Sequence, residues 1–268
     1  MYLTDTHSHL YDSAFDEDRP QALQRALNAG VKRIMLPAID SGSHDALFSL
    51  CRTYPYSCFP MMGLHPTSVN DNPRWEGELA LVERYLAEPP SGRFYAIGEV
   101  GLDLYWSRDW IERQTVVLER QIELSLKYGL PLVIHTRDAW PEMRRSLGRF
   151  KGEGIKGIMH SFSGGIEDYH AIKECGDFLF GIGGVVTYKK SDLPEILLTI
   201  PLDDIVLETD CPYLTPVPFR GKRNESAYLT YIRDRAAGIY GVSPEEVAAV
   251  TSANAARMFG LEPLQAEK

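Results

Sequence analysis

Short apolar runs of four to seven residues alternate along the chain with longer segments in which apolar positions recur every three or four residues. Side chains switch faces at every residue of a strand and return to one face every 3.6 residues in a helix, so the pattern predicts strands and helices in alternation. Strands are predicted at 2–7, 31–36, 58–64, 94–100, 132–135, 155–160, 178–183 and 205–208. Helices are predicted between them at 19–29, 43–54, 75–87, 109–129, 138–150, 166–175 and 192–199, with two more at 226–240 and 244–258.

The 109–129 segment is the most strongly patterned. Asp109 with Glu112 three residues on reads as a capping box, Ile111, Leu118, Ile122 and Leu126 share one face, and Gly129 with Pro131 ends the run. The last helix opens on Ser243-Pro244-Glu245-Glu246, a capping box with proline at the first helical position. Eight strand–helix alternations favour a (β/α)₈ TIM barrel over the alternative, a doubly wound open sheet. No repeat, low-complexity tract or linker interrupts them, and residues 1–268 are expected to form one domain.

Composition narrows the class. Apolar residues make up 44% and charged residues 24%, an ordinary globular mix. No run approaches the roughly 18 apolar residues of a membrane helix, and the first residues lack a signal-peptide pattern. Four scattered cysteines, Cys51, Cys58, Cys175 and Cys211, do not form a disulfide framework or a Cys-rich metal site, so the cytoplasm is the expected compartment. A net charge of −9 argues against coating nucleic acid or anionic membrane through bulk charge.

Metal-binding residue types fall at the ends of the predicted strands. His7 and His9 end the first, His65 the third, Glu99 the fourth, His135 the fifth and His160 the sixth, and Asp210 follows the eighth. In a barrel these ends share one rim, where catalytic groups of this fold sit. His44 and His170 fall inside helical segments and are expected to be solvated surface. Four histidines and two carboxylates exceed the three protein ligands of one catalytic zinc and suggest two divalent ions, which activate water and stabilise both oxygens of a displacement. The mixed donors suit Zn, Mn, Co or Fe, with Mg possible. Gly181-Ile182-Gly183-Gly184 lacks the spacing of a phosphate loop and reads as a tight turn. Arg137, Arg108, Lys189-Lys190 and the Arg220–Arg223 run lie in rim loops as candidate phosphate contacts, and Tyr105-Trp106 are candidates either for base stacking or for lid packing.

Eight blocks, in order, resemble the signatures of TatD-type metal-dependent deoxyribonucleases. They are Asp5-Thr6-His7-Ser8-His9-Leu10, Gly63-Leu64-His65-Pro66, Ile97-Gly98-Glu99-Val100-Gly101-Leu102-Asp103, Ile134-His135-Thr136-Arg137, His160-Ser161-Phe162-Ser163-Gly164, Glu208-Thr209-Asp210-Cys211-Pro212-Tyr213-Leu214, Arg220-Gly221-Lys222-Arg223-Asn224-Glu225 and Asn254-Ala255-Ala256-Arg257-Met258-Phe259. The resemblance implies a TIM barrel of the amidohydrolase superfamily that binds two divalent ions and cleaves DNA phosphodiesters, typically from the 3′ end. Carried over by position, it implies metal ligation by His7, His9, Glu99, His135, His160 and Asp210, with Glu99 bridging and Asp210 handling the water's proton. Ser161 stands where the family often has Cys, and Ser226 where Pro is usual.

The first expectation is therefore a two-metal deoxyribonuclease engaging single strands or 3′ ends weakly, with His65, Arg137, Arg220 and Arg223 on the phosphate and no membrane or obligate protein partner. A second is a two-metal esterase or amidohydrolase such as a D-aminoacyl-tRNA deacylase. A third is a non-catalytic nucleic-acid binder on the same barrel.

Overall fold

The computed structural model describes residues 2–90, 92–262 and 264; the outermost residues of the expected 1–268 domain lie outside them. Eight parallel strands appear in sequence order: β1 Leu3–Asp5, β2 Val31–Leu36, β3 Cys58–Pro60, β4 Ile97–Asp103, β5 Leu132–Arg137, β6 Lys156–Met159, β7 Asp177–Ile182 and β8 Ile205–Leu207. β1 to β3 pair as one sheet and β4 to β8 as another. Backbone hydrogen bonds close both seams. Tyr95 N donates to Pro60 O and Gly98 N to Met62 O across β3–β4, while Thr6 N donates to Leu207 O and Asp210 N to His7 O across β8–β1. The result is the (β/α)₈ TIM barrel predicted from the alternation.

Helices α1 Arg19–Asn28, α2 Ser41–Thr53, α3 Trp75–Ala87, α4 Ile111–Tyr128, α5 Trp140–Gly148, α6 Ile166–Cys175, α7 Leu193–Leu197, α8 Leu229–Tyr240 and α9 Pro244–Phe259 surround it. Most lie within two or three residues of the predicted bounds, because caps and breakers mark helix ends well. Ser243 Oγ accepts Glu246 N–H with Pro244 at the first turn, as the pattern implied. The Asp109 capping box does not form. α4 opens at Ile111 with Trp110 at its cap, and Asp109 N–H bonds Ser107 Oγ instead. β4 runs Ile97–Asp103 rather than 94–100, because its register against β5 slips between Ile97 and Val100 and pairing continues to Arg137.

Two apolar layers follow from the strand period. Met35, Phe59, Val133, Ile158, Leu179 and Val206 point into the barrel, where Ala255, Met258 and Phe259 of α9 join them. Their neighbours, such as Ile34, Leu36, Ile134 and Leu207, point out against the helices. Each such side chain contributes about 1.5–3 kcal/mol over its exposed state. His44, expected on the surface, is 3% exposed and packs on the rings of Phe48 and Tyr85. It shares the buried face of α2 with Leu47, Phe48 and Cys51, three, four and seven residues on. His170 is exposed, as expected. All four cysteines are buried free thiols.

Gly101 in β4 sits at φ +146°, and a Cβ there would run into the backbone carbonyl of His135. Backbone cannot rotate away as a side chain can. Gly101→Ala is expected to cost about 3 kcal/mol or more in urea unfolding, through strain and overpacking beside His135.

Candidate metal centre

The strand period that fills the barrel also builds the centre. Val133, Ile158 and Val206 are interior side chains, and the residues two further along each strand, His135, His160 and Glu208, therefore face inward at the top. Asp210 lies two beyond Glu208, and His7 and His9 rise from the end of β1. The loop after β8 is held to β1 by Asp5, which accepts the Thr209 N–H at 2.9 Å and the Thr209 hydroxyl at 2.6 Å. Desolvation raises the buried Asp5 carboxyl to about 7, against the lowering pull of those hydrogen bonds.

Glu99 is the hub. Its Oε2 lies 3.1 Å from His7 Nε2 and 3.7 Å from His9 Nε2. Its Oε1 lies 3.2 Å from His135 Nδ1, 3.4 Å from His65 Nε2 and 3.8 Å from His160 Nε2. Asp210 Oδ1 sits between the groups, 3.8 Å from His7, 3.4 Å from His9 and 3.7 Å from His160. His7 and His160 stack with centroids 3.4 Å apart. The structure thus brings together all six residues proposed as ligands from sequence, five of them lining a cavity of about 980 Å³ and His7 fully buried against them.

Hydrogen-bond partners decide which ring nitrogen of each histidine is free. Tyr11 donates its hydroxyl proton to Pro37 O at 2.6 Å, so at 3.0 Å it can only accept from His9 Nδ1, leaving His9 Nε2 with its lone pair toward the centre. His135 Nε2 donates to Asp103 Oδ2 at 2.9 Å and turns Nδ1 inward. His160 Nδ1 lies 2.9 Å from Glu208 Oε1 and turns Nε2 inward. Such outer carboxylates fix the tautomer and raise the basicity of a metal-ligating imidazole. His7 Nδ1 is buried with no hydrogen-bond partner, and the close His160–Glu208 contact is an ion pair rather than an aligned hydrogen bond. His65, like His135, carries its proton on Nε2, but turns that nitrogen rather than Nδ1 toward Glu99. Its Nδ1 accepts the Thr67 N–H at 3.2 Å, so Nε2 carries the proton and can donate but not ligate.

Tyr11, Asp103 and Glu208 were not singled out from sequence. Spacing carried the signal for two of them, since Tyr11 stands two after His9 and Glu208 two before Asp210. Gly181 leaves room for Glu208, because a Cβ there would strike its carboxylate. The basic run after β8 divides. Arg223 is not a cavity residue: it is bonded to Asp18 at 2.6 and 2.9 Å and stacked over Phe15. Arg220 is exposed and lies over the Tyr188 ring at 4.2 Å, outside the cavity lining. Arg108 pairs with Glu142 at 3.5 Å. Arg137 and His65 do line the cavity. Ser226 is buried and bonds Ser8, which anchors the loop where proline was anticipated.

Electrostatics favour a cation here. Burial alone would raise Glu99 and Asp210, but the surrounding imidazoles outweigh it and hold both below the usual carboxylate range. Burial would lower His160, yet Glu208, Asp210 and Glu99 together push it up to about 10. His7 and His65 are lowered, first by desolvation. Among the described residues, no Lys or Arg pairs with Glu99 or Asp210. Three overlapping sets of donor atoms each lie within 4.8 Å of one another: His7, His160 and Asp210; His7, His9 and Glu99; and His65, Glu99 and His135. Mixed imidazole and carboxylate donors, with the lone pairs of His9 Nε2 and His135 Nδ1 turned inward, fit a divalent metal.

A TIM barrel with this buried histidine–carboxylate centre at its C-terminal rim defines a metal-dependent hydrolase. Residues 4–260 match the family described as TatD related DNase, and the chain belongs to that family. It is 35% identical to a Bacillus subtilis protein named as an uncharacterized metal-dependent hydrolase, YabD, across 96% of this chain and 98% of the relative. It is 31% identical to the 3′-5′ ssDNA/RNA exonuclease TatD of Erwinia billingiae, across 94% and 97%. Among solved structures, the TatD homolog YjjV of Escherichia coli superposes with a TM-score of 0.89 at 27% identity, covering 97% of this chain and 98% of that one.

Asp103→Asn, which unpins His135, is expected to weaken metal binding about ten- to hundredfold by calorimetric titration of metal-free protein, and Glu208→Gln to act likewise through His160. Because metal must displace the proton held on His160 up to about pH 10, affinity should rise with pH below that value. The rise is about tenfold per pH unit for each proton released, and a flat pH profile would contradict the assignment.

Proposed function

We propose that the protein is a deoxyribonuclease that hydrolyses phosphodiester bonds from the 3′ end of single strands, using two divalent ions held by His7, His9, Glu99, His135, His160 and Asp210. One observation carries the reading: Glu99 turns one carboxylate oxygen to His7 and His9 and the other to His65, His135 and His160, so that it would serve both halves of the donor set when metal is bound. When bound, such ions lower the pKa of water and neutralise charge gathering on the reacting phosphate.

The remaining steps belong to the chain's own side chains. Asp210 Oδ1 faces three imidazoles, so its second oxygen is left to take the proton of the attacking water. His65, with its proton on Nε2, donates to a phosphate oxygen. Arg137, exposed at the cavity mouth, supplies positive charge to the same phosphate. Asp12, Asp16 and Asp40 line another part of the cavity, so a polyanion would be admitted over only part of the rim. That suits weak engagement of a strand end and accords with a chain of net charge −9. The reading treats the chain as one domain, places it in a reducing cytoplasm on the strength of four unpaired thiols, and leaves the metal open among Zn, Mn, Co, Fe and Mg.

No helix of the described residues is long and apolar enough to cross a membrane. Chelation should abolish cleavage of a 3′-labelled single-stranded oligonucleotide, and re-addition of metal should restore it. Asp210→Asn should lower kcat by about 10²–10⁴ with the oligonucleotide still bound. Full activity in Asp210→Asn would refute the mechanism. Release of an amino acid from aminoacyl-tRNA with DNA left intact would move the assignment to the esterase alternative.

A further inference from the structure

Large apolar side chains exposed to solvent are concentrated near the cavity. Of the nine among the described residues, Tyr105 and Trp106 lie in the loop after β4, and Tyr213, Leu214 and Val217 in the loop after β8. Trp106 is 69% exposed and Tyr105 53%. Their rings meet edge to face with centroids 4.9 Å apart. The Arg137 guanidinium lies 3.6 Å from the Tyr105 centroid and 5.9 Å from that of Trp106. Arg137 lines the cavity and, among the described residues, pairs with no carboxylate, unlike Arg19, Arg108 and Arg223.

We propose that Tyr105 and Trp106, backed by Arg137, form a stacking platform for an unpaired base of the nucleic-acid strand whose phosphodiester lies at the metal centre. The proposal rests on the function proposed above and names the residues that would confine it to unpaired strands. Aromatic faces hold bases of any sequence only when those bases are splayed out of a helix, and a guanidinium stacked beside them keeps its N–H edge free for backbone phosphate.

The platform is tied to the centre by short bonds. Asp103 accepts Tyr105 N–H through Oδ1 at 3.0 Å and His135 through Oδ2 at 2.9 Å, so one carboxylate holds both the aromatic loop and a metal-facing imidazole. Leu104 N donates to Arg137 O at 2.9 Å. Gln114 brackets Asp103 from α4, accepting its N–H and donating to its carbonyl. The base of the loop is thereby rigid, while the rings above it remain open to solvent. A lid packed for stability would bury those rings; here they are left exposed.

The test compares wild type, Trp106→Ala, Tyr105→Ala and the double variant on two single strands of equal length. One carries normal bases, and the other carries tetrahydrofuran abasic residues over its last nucleotides at the cleaved end. On the normal strand each variant is expected to lose about ten- to hundredfold in kcat/KM, mostly through KM, with Trp106→Phe near wild type. On the abasic strand the variants should match wild type within about twofold, because no base remains to stack. Binding of both strands to metal-free protein, read by fluorescence anisotropy, should show the same base-dependent loss whether or not turnover is seen. Equal cleavage and binding of the normal strand by wild type and double variant would overturn the platform, as would an equal loss on both strands. A wild type that binds the normal strand better than the abasic one through these rings, yet never cleaves it with metal, would leave the platform standing and sink the proposed reaction.

Discussion

The buried carboxylate of Glu99 sets the terms for the rest of the molecule. It is 3% exposed at the top of an apolar barrel, and an ionised group removed from water costs several kcal/mol unless opposite charge and hydrogen bonds surround it. Imidazoles are what the neighbouring strand ends provide, and each must present the right atom. Tyr11 and Asp103 answer that need from behind by accepting the outer proton of His9 and His135, and Glu208 sets its charge 2.9 Å from His160 Nδ1. The centre is therefore two layers deep. Four histidines and two carboxylates face inward, and the groups behind His9, His135 and His160 orient those three imidazoles.

That arrangement requires a stiff support, and the barrel supplies it. The interior residues of the strands set the direction in which the next inward side chain points, and seam hydrogen bonds hold β1 to β8 and β3 to β4. The Thr209–Asp5 pair fixes the approach to Asp210, and Gly101 and Gly181 create the space that His135 and Glu208 occupy. Above this level the loops carry a different chemistry. Exposed aromatics, one unpaired arginine and a patch of carboxylates meet at the mouth, where contact with a ligand matters more than packing.

Much of this was legible along the chain. The alternation of short apolar runs with helical periodicity is dense enough that all eight strands and nine helices appear where expected, and the six inward donors could be named because each ends or follows a strand. What was missed has a physical reason in each case. Asp103 and Glu208 look like ordinary loop acids until β4 is seen to extend to Asp103 and Gly181 to open beside Glu208. His44 reads as surface by type, but it lies on the face of α2 that packs against Tyr85 of α3. Arg220 and Arg223 are three residues apart in one basic run, and only Asp18 and Phe15, from the loop before α1, take Arg223 out of consideration.

The sequence by itself determined the barrel, the rim and the identity of the donors, because periodicity and strand-end position are local properties of the chain. Tertiary structure decided the tautomers, the separation of Glu99's two oxygens between two groups of histidines, and which of the candidate phosphate-binding arginines lines the cavity. Those depend on atoms more than 25 residues apart in the chain, such as Tyr11 with Pro37 or His160 with Glu208, which meet only when the barrel closes. A pattern of residues can say that a histidine reaches the centre; only its packed neighbours say which nitrogen arrives there.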